Sequence, residues 1–342
     1  MSVLGEFQSA ALASRAASQP AYFSAWGLKA YYGESYIVQG VSFNVHEGEI
    51  LALLGRNGAG KTTIIRMLMN IYEPDGGEIV FRGSHVGQAF RDNVGYLPEE
   101  RGLNTKMRVL DALLFLAELK GVKGPEVEAK AMHYLEKFEL ADRHKDKIEK
   151  LSKGNQQKIQ FISTFLHDPD FIILDEPYSG LDPVNTNLFK DIILDLKKQG
   201  KAIIFSTHLM DFAEKMCDHI ALIEKGRLLL SGPLSDIKNR FSERNVMLHY
   251  EGDISFLQEL PYVKGVQDYG NHSGIEVAGR EDTGRLLKAL VDRGVVVKKF
   301  DANDISLQEI FLSQTKASID AEIAAGMKEN ANNSGDLLSQ GV

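Results

Sequence analysis

From Phe23 to about Ser231, short apolar runs alternate with stretches whose apolar positions recur at helical spacing. "EILALLG" (49–55) reads as a compact apolar strand ending in glycine, and "TTIIRMLMNIY" (62–72) follows at helical period. "DFIILDEP" (170–177), "KAIIFSTH" (201–208) and "HIALIEKGRLLLSG" (219–232) supply further strands. Near-continuous apolar strands separated by helices predict an α/β fold, with a largely parallel or mixed sheet covered on both faces. The pattern changes from about Arg101 to Phe165. There "VLDALLFLAELKG" (109–121) and "EVEAKAMHYLEKFEL" (126–140) read as two amphipathic helices ended by glycine or charge, a helical insert over about 100–166.

A second shift follows Asn239. "VMLHY" (246–250), "VKGVQDYGN" (263–271), "SGIEVAG" (273–279) and "VVVKKFD" (295–301) read as short strands. "DTGRLLKALVDRG" (282–294) and "SLQEIFLSQ" (306–314) read as helices. This arrangement predicts a small α+β domain over 240–315 with a split βαβ pattern, behind a main domain over 24–238. Residues 1–23 are rich in Ala and Ser and read as an extension, and 316–342, with "KENANNSGD", as a disordered tail.

Composition narrows the function classes. The net charge of −8 argues against binding to a phosphate backbone, so no nucleic-acid partner is expected. Cys217 is the single cysteine, which allows no internal disulfide and no multi-thiolate metal site, and favours the interior of a cell. No apolar run approaches 18 residues, so the chain is not expected to span a bilayer. No basic stretch followed by an apolar one opens the chain, so no signal peptide is expected.

The chemistry is concentrated at strand ends. "GRNGAGKTT" (55–63) sits between a strand and a helix, the context that a phosphate-binding loop requires. Gly55, Gly58 and Gly60 let the chain turn its amides inward, with Asn57 in the same loop. Lys61 is placed to reach β and γ phosphates, Thr62 to ligate magnesium, and Thr63 to add a phosphate contact. Asp175 and Glu176 close a buried strand. Asp175 can hold the metal through water, and Glu176 can orient or deprotonate an attacking water. His208 ends another strand, where it could hold the γ-phosphate and the water. Tyr32 is the candidate for stacking on adenine, with Tyr31 as the alternative. Read without that loop, the same features would be a glycine-rich turn, an acidic pair at a sheet edge and a loop histidine.

In order, "GRNGAGKTT", "GYLPEE" (95–100), "LSKGNQQ" (151–157), "FIILDE" (171–176), "SGLD" (179–182) and "STH" (206–208) resemble the Walker A, Q-loop, signature, Walker B, D-loop and switch-histidine motifs of ATP-binding cassette (ABC) transporter nucleotide-binding subunits. The resemblance covers roughly 24–235, and the full set is far more specific than a phosphate loop alone. It implies a P-loop ABC ATPase core, a mixed sheet with a helical subdomain, that binds ATP and Mg2+ and hydrolyses ATP. Glu176 matches the catalytic glutamate and His208 the switch histidine, Tyr32 falls at the adenine-stacking place, and Asp182 matches the D-loop aspartate. Ser152 and Gly154 match the signature residues that cap the γ-phosphate held by the opposite subunit. Glu99 stands where the family usually has glutamine. It keeps an oxygen able to ligate magnesium but adds charge.

"YLPEERGL" and the region after Asn239 also resemble a bacterial sodium- or drug-efflux subgroup, which pairs with separate ABC-2-type membrane permeases. That implies a homodimer, an exporter, and a place on the cytoplasmic face of the cell membrane. The alternative is a soluble ABC-type regulatory ATPase. Translation factors of this type usually carry two cassettes where this chain has one, and chromosome-maintenance ATPases carry long coiled coils that are absent here. In "LSKGNQQKIQ", Lys153 replaces a glycine and Asn155 a glutamine. Ser152 is expected at a helix N-cap, followed by a polar face of Gln156, Gln157, Lys158 and Gln160, with Ile159 and Phe161 for packing.

Overall fold

The computed structural model describes residues 21–316 apart from 34, 101, 243, 244, 271, 280, 303 and 304. The extension and tail expected at the chain ends fall mostly outside these residues. The chain divides into two compact units, Met1–Gly232 and Pro233–Val342.

The first unit opens with β1 (Phe23–Tyr32), β2 (Ser35–Val45), β3 (Ile50–Leu54) and α1 (Lys61–Leu68). It continues with β4 (Gly76–Phe81), β5 (Ser84–His85), α2 (Gln88–Asn93) and β6 (Val94–Leu97). Three helices follow: α3 (Val109–Leu119), α4 (Pro125–Lys137) and α5 (Lys153–Phe165). The chain then returns through β7 (Phe171–Asp175), α6 (Pro183–Lys198), β8 (Ala202–Thr207), α7 (Met210–Glu214), β9 (His219–Glu224) and β10 (Arg227–Pro233).

Two sheets result. The central one has the order β10-β9-β3-β8-β7-β6, and the β9–β3, β3–β8, β8–β7 and β7–β6 pairings are parallel. β3, β7 and β8 are buried at every position, as their uninterrupted apolar runs require. The other sheet, β2-β1-β4-β5, is antiparallel. It joins the same core, with Phe23 of β1 stacked on Phe171 of β7 at 4.7 Å.

α1 is shorter than its periodicity suggests. Asn70 takes a left-handed conformation (φ 52°), and the Ile71 amide donates back to the Arg66 carbonyl at 2.9 Å. This is how a helix commonly stops, and it leaves Ile71 and Tyr72 outside α1 and exposed. α3, α4 and α5 pack on one another as the helical insert. There the Phe161 ring of α5 stacks on Phe189 of α6 at 4.1 Å, beside Phe138 and Phe165.

The second unit begins with α8 (Leu234–Ser242) and holds β11 (Asn245–Glu251), β12 (Val263–Asp268), β13 (Ser273–Val277), α9 (Asp282–Asp292), β14 (Val296–Asp301) and α10 (307–316). Its sheet order is β12-β13-β11-β14 with antiparallel neighbours. β11 and β12 therefore run parallel with β13 between them, a split βαβ unit. Its first crossover is only a 3-10 turn, Ser255–Glu259, which still buries Leu257. α10 opens with a reciprocal capping box: the Ser306 amide donates to Glu309 at 2.8 Å, and the Glu309 amide to Ser306 Oγ at 3.2 Å.

Candidate functional site

The order β3-β8-β7 puts the carboxyl ends of three buried strands side by side, where open α/β sheets hold their ligands. β3 runs into Gly55, whose φ is 158°. A Cβ there would sit 2.3 Å from the Ile223 carbonyl oxygen of β9, so only glycine lets the strand leave the sheet at this point. Gly60 (φ 107°) precedes α1 and offers no side-chain cap. The amides of the first helical turn, at Lys61, Thr62 and Thr63, are therefore left to face whatever the loop encloses. Ile64, Ile65, Met67 and Leu68 anchor α1 in the core.

Lys61 is buried. Its Nζ donates to the Gly55 and Arg56 carbonyls at 2.8 and 3.2 Å and lies 3.3 Å from Glu176 Oε1. The other side of that carboxylate meets His208, whose Nδ1 is 3.2 and 3.1 Å from Oε1 and Oε2. Lys61, Glu176 and His208 thus form one continuous polar chain. Glu176 has φ 46°, a rare conformation for a residue with a Cβ, which turns its side chain out of the β7 line.

Asp175 is fully buried at the end of β7. One carboxylate oxygen, Oδ1, accepts a hydrogen bond from Ser206, and the other, Oδ2, has no partner. Burial raises the Asp175 pKa above the usual carboxylate range. The Ser206 and Thr62 hydroxyls act against that shift, and the charges of Glu99 and Glu176 add to it. Glu99 lies in the exposed loop after β6, so its charge is felt at Asp175 from outside. Tyr96 on β6 feels Asp175 too. Mainly through burial, its phenol is pushed up to about 12 and stays neutral.

The remaining candidates stand apart from this group. Tyr32 ends β1 with its side chain exposed, whereas the Tyr31 ring packs on Tyr36 at 4.2 Å. Asn57 and Gly58 lie on the exposed outer part of the phosphate loop. Ser152 is the N-cap of α5, its Oγ accepting the Asn155 amide at 3.3 Å. Asp182 caps α6 by accepting the Val184 and Asn185 amides at 3.0 and 2.9 Å, bonds that help hold its pKa below the usual range. No hydrogen bond or ion pair joins Tyr32, Ser152 or Asp182 to the Lys61–Glu176–His208 chain among the described residues.

The polar face expected on α5 is corrected by the fold. Gln157, Lys158 and Gln160 are buried. The donors of both side chains reach chain carbonyls, Lys158 Nζ donating to Phe138 and Gln160 Nε2 to Glu100, while Gln160 Oε1 stays buried without a partner. Half-buried Gln156 donates to the Ile148 and Leu151 carbonyls. The long side chains carry their polar ends past the apolar core to backbone acceptors, a route that periodicity cannot reveal. Ser206 is the site residue that sequence reasoning missed. Its signal was a small hydroxyl closing the apolar run of a buried strand, one position from Thr207 and two from His208.

Among the described residues, no helix is long and apolar enough to cross a membrane. Residues 38–179 match the family described as ABC transporter, and 232–315 match the C-terminal domain of DrrA1-3-like ATP-binding proteins. The chain is 38% identical to the uncharacterized ABC transporter ATP-binding protein YhaQ of Bacillus subtilis, over 84% of this chain and 96% of that one. It is 32% identical to the Nod factor export ATP-binding protein I of Bradyrhizobium diazoefficiens, over 74% and 81% of the two chains. A solved ATP-binding subunit of an ABC transporter superimposes with a TM-score of 0.61 at 31% identity, covering 64% of this chain and 93% of that one. With the phosphate loop, the acidic strand end and the histidine in register, the chain belongs to the ATP-binding proteins of ABC transporters, the ATPases that drive them.

Proposed function

We propose that two copies of this chain meet head to tail around two Mg-ATP and drive a separate ABC-2-type permease, as an exporter, from the cytoplasmic face of the cell membrane. Gly154 carries the dimeric part of this reading. Its φ is not left-handed, and a Cβ added there would meet nothing within 4 Å. Neither its backbone conformation nor its surroundings within the chain demand a glycine, so a close approach from outside is the better reason for one. Each chain has one phosphate loop and one signature, and an isologous pair would complete two sites.

In each site Lys61 and the amides of α1 bind the β and γ phosphates. Tyr32 offers an exposed ring to the adenine. The donors around Asp175 fit magnesium. Oδ2 is a buried carboxylate oxygen without a partner, the Thr62 hydroxyl acts on the same carboxyl, and Glu99 adds a second carboxylate. Among the described residues no cluster of three or more His, Cys, Asp or Glu could hold a metal unaided, so phosphate and water oxygens complete the shell. The ion, when bound, offsets phosphate charge in the transition state. Glu176 orients and deprotonates the attacking water, and His208 holds Glu176 and the γ-phosphate in line. Ser152 and Gly154 of the second copy close the site.

Export is favoured by the relative named as a Nod factor export ATP-binding protein. The test is sedimentation of the Glu176→Gln protein with Mg-ATP, alone and combined with Gly154→Asp. The first should form a nucleotide-dependent dimer and the second should stay monomeric. Full specific activity in dilute, strictly monomeric wild-type protein would overturn the composite site. Purification from membranes without any multi-span partner would favour the soluble regulatory alternative.

A further inference from the structure

Ser206 lies opposite Asp175 in the β7–β8 pairing and is fully buried. Its hydroxyl makes two bonds to consecutive residues of the neighbouring strand end. It accepts the Glu176 amide at 3.0 Å and bonds Asp175 Oδ1. The directions are fixed by chemistry. A backbone amide can only donate, so the single hydroxyl proton is free for the carboxylate. One small side chain therefore holds both halves of the acidic pair. Rotation of the Asp175 carboxylate is pinned with Oδ1 engaged and Oδ2 unpartnered. The Glu176 backbone is tied at the residue whose left-handed turn carries its carboxylate to Lys61 and His208.

We propose that Ser206 is a positioning residue for ATP hydrolysis: it aims Asp175 Oδ2 toward the cation beside Thr62 and fixes the left-handed turn that presents Glu176. The proposal rests on the functional reading above, in which Asp175 faces the metal and Glu176 the water. A merely structural hydroxyl would hold β7 to β8 and affect only stability. A positioning hydroxyl also sets the metal dependence and the chemical step.

The two are separated with full-length Ser206→Ala and Ser206→Thr. Thr keeps the hydroxyl and adds one methyl. Binding of a fluorescent ATP analogue is titrated with and without Mg2+, Mn2+ binding in the presence of nucleotide is followed by electron paramagnetic resonance, and kcat and KM are measured together. For Ser206→Ala, the Mg2+ concentration for half-maximal binding enhancement should rise about 10-fold, as when a partner behind a metal ligand is lost. Its kcat should fall about 10- to 100-fold, with KM for ATP and metal-free nucleotide binding within about twofold of wild type. Ser206→Thr should recover most of both losses. If Ser206→Ala does not fold, Ser206→Cys, close in size but a weak donor, is measured by the same readouts and should show the same losses. Unchanged Mg2+ dependence and kcat in the hydroxyl-free variant, whatever its melting temperature, would overturn the proposal. Absence of Mg2+-stimulated hydrolysis in wild type would instead overturn the functional reading beneath it.

Discussion

His167→Gln isolates one proton site at the end of α5. His167 follows the end of α5, and its Nε2 is 3.2 Å from the Val94 carbonyl of β6. That carbonyl can only accept, so Nε2 carries the proton of the neutral ring. The second nitrogen, Nδ1, is buried with no partner. Protonation would place a donor there with nothing to receive it. Burial, aided by the nearby Lys120 and Lys130 charges, accordingly pushes the pKa down to about 4 from an ordinary 6.5. The stability contributed by the neutral ring is present in full above the unfolded value. It is lost as pH falls from about 6.5 toward about 4, because the unfolded chain takes up the proton first. Each unit in that window costs about 1.4 kcal/mol, so moving from pH 7.5 to 5.0 removes about 2 kcal/mol through this residue. Gln preserves a donor to Val94 without titrating. Melting followed by circular dichroism should show wild type losing about 4–8 °C more than His167→Gln between those two pH values, for a unit of this size. Parallel pH profiles for the two proteins would refute the assignment of a buried neutral imidazole.

Three further outcomes follow from the same geometry. A Cβ at Gly95 would sit 2.2 Å from the Thr164 carbonyl oxygen, so Gly95→Ala must push α5 off β6. It should destabilise by about 1–3 kcal/mol in denaturant melts and lower ATPase activity by moving the signature. Phe161→Ala removes a fully buried ring stacked on Phe189 and should cost about 3–5 kcal/mol, read in the same way. Ser152→Arg loses the N-cap of α5, a cost of about 1 kcal/mol. It should keep wild-type affinity for a fluorescent ATP analogue while hydrolysis is lost, because the nucleotide it binds rests on its own Lys61.

The core and the glycine-rich loop between strand and helix were legible because each is local in sequence. "ILALL", "FIIL" and "AIIF" are uninterrupted apolar runs, which marks central parallel strands, and the candidate site residues sit directly at their ends. The split βαβ order of the second unit also followed from the alternation of its elements. What escaped depended on tertiary partners. The burial of Lys158 and Gln160 rests on the carbonyls of Phe138 and Glu100, 20 and 60 positions away. The Ser206 bridge exists only because β8 lies beside β7. The end of α1 turned on a left-handed Asn70, one of many residues that could have continued a helix.

Mixing two disabled proteins tests the composite site most directly. Lys61→Ala cannot hold its own phosphates but keeps an intact Ser152 and Gly154, whereas Gly154→Asp keeps its phosphate loop and spoils the signature. Each alone should be inactive. A one-to-one mixture should regain up to about half of the wild-type ATPase rate, since neither variant closes a dimer with itself and each mixed dimer would hold one complete site of two. A mixture no more active than its two components would contradict the head-to-tail account.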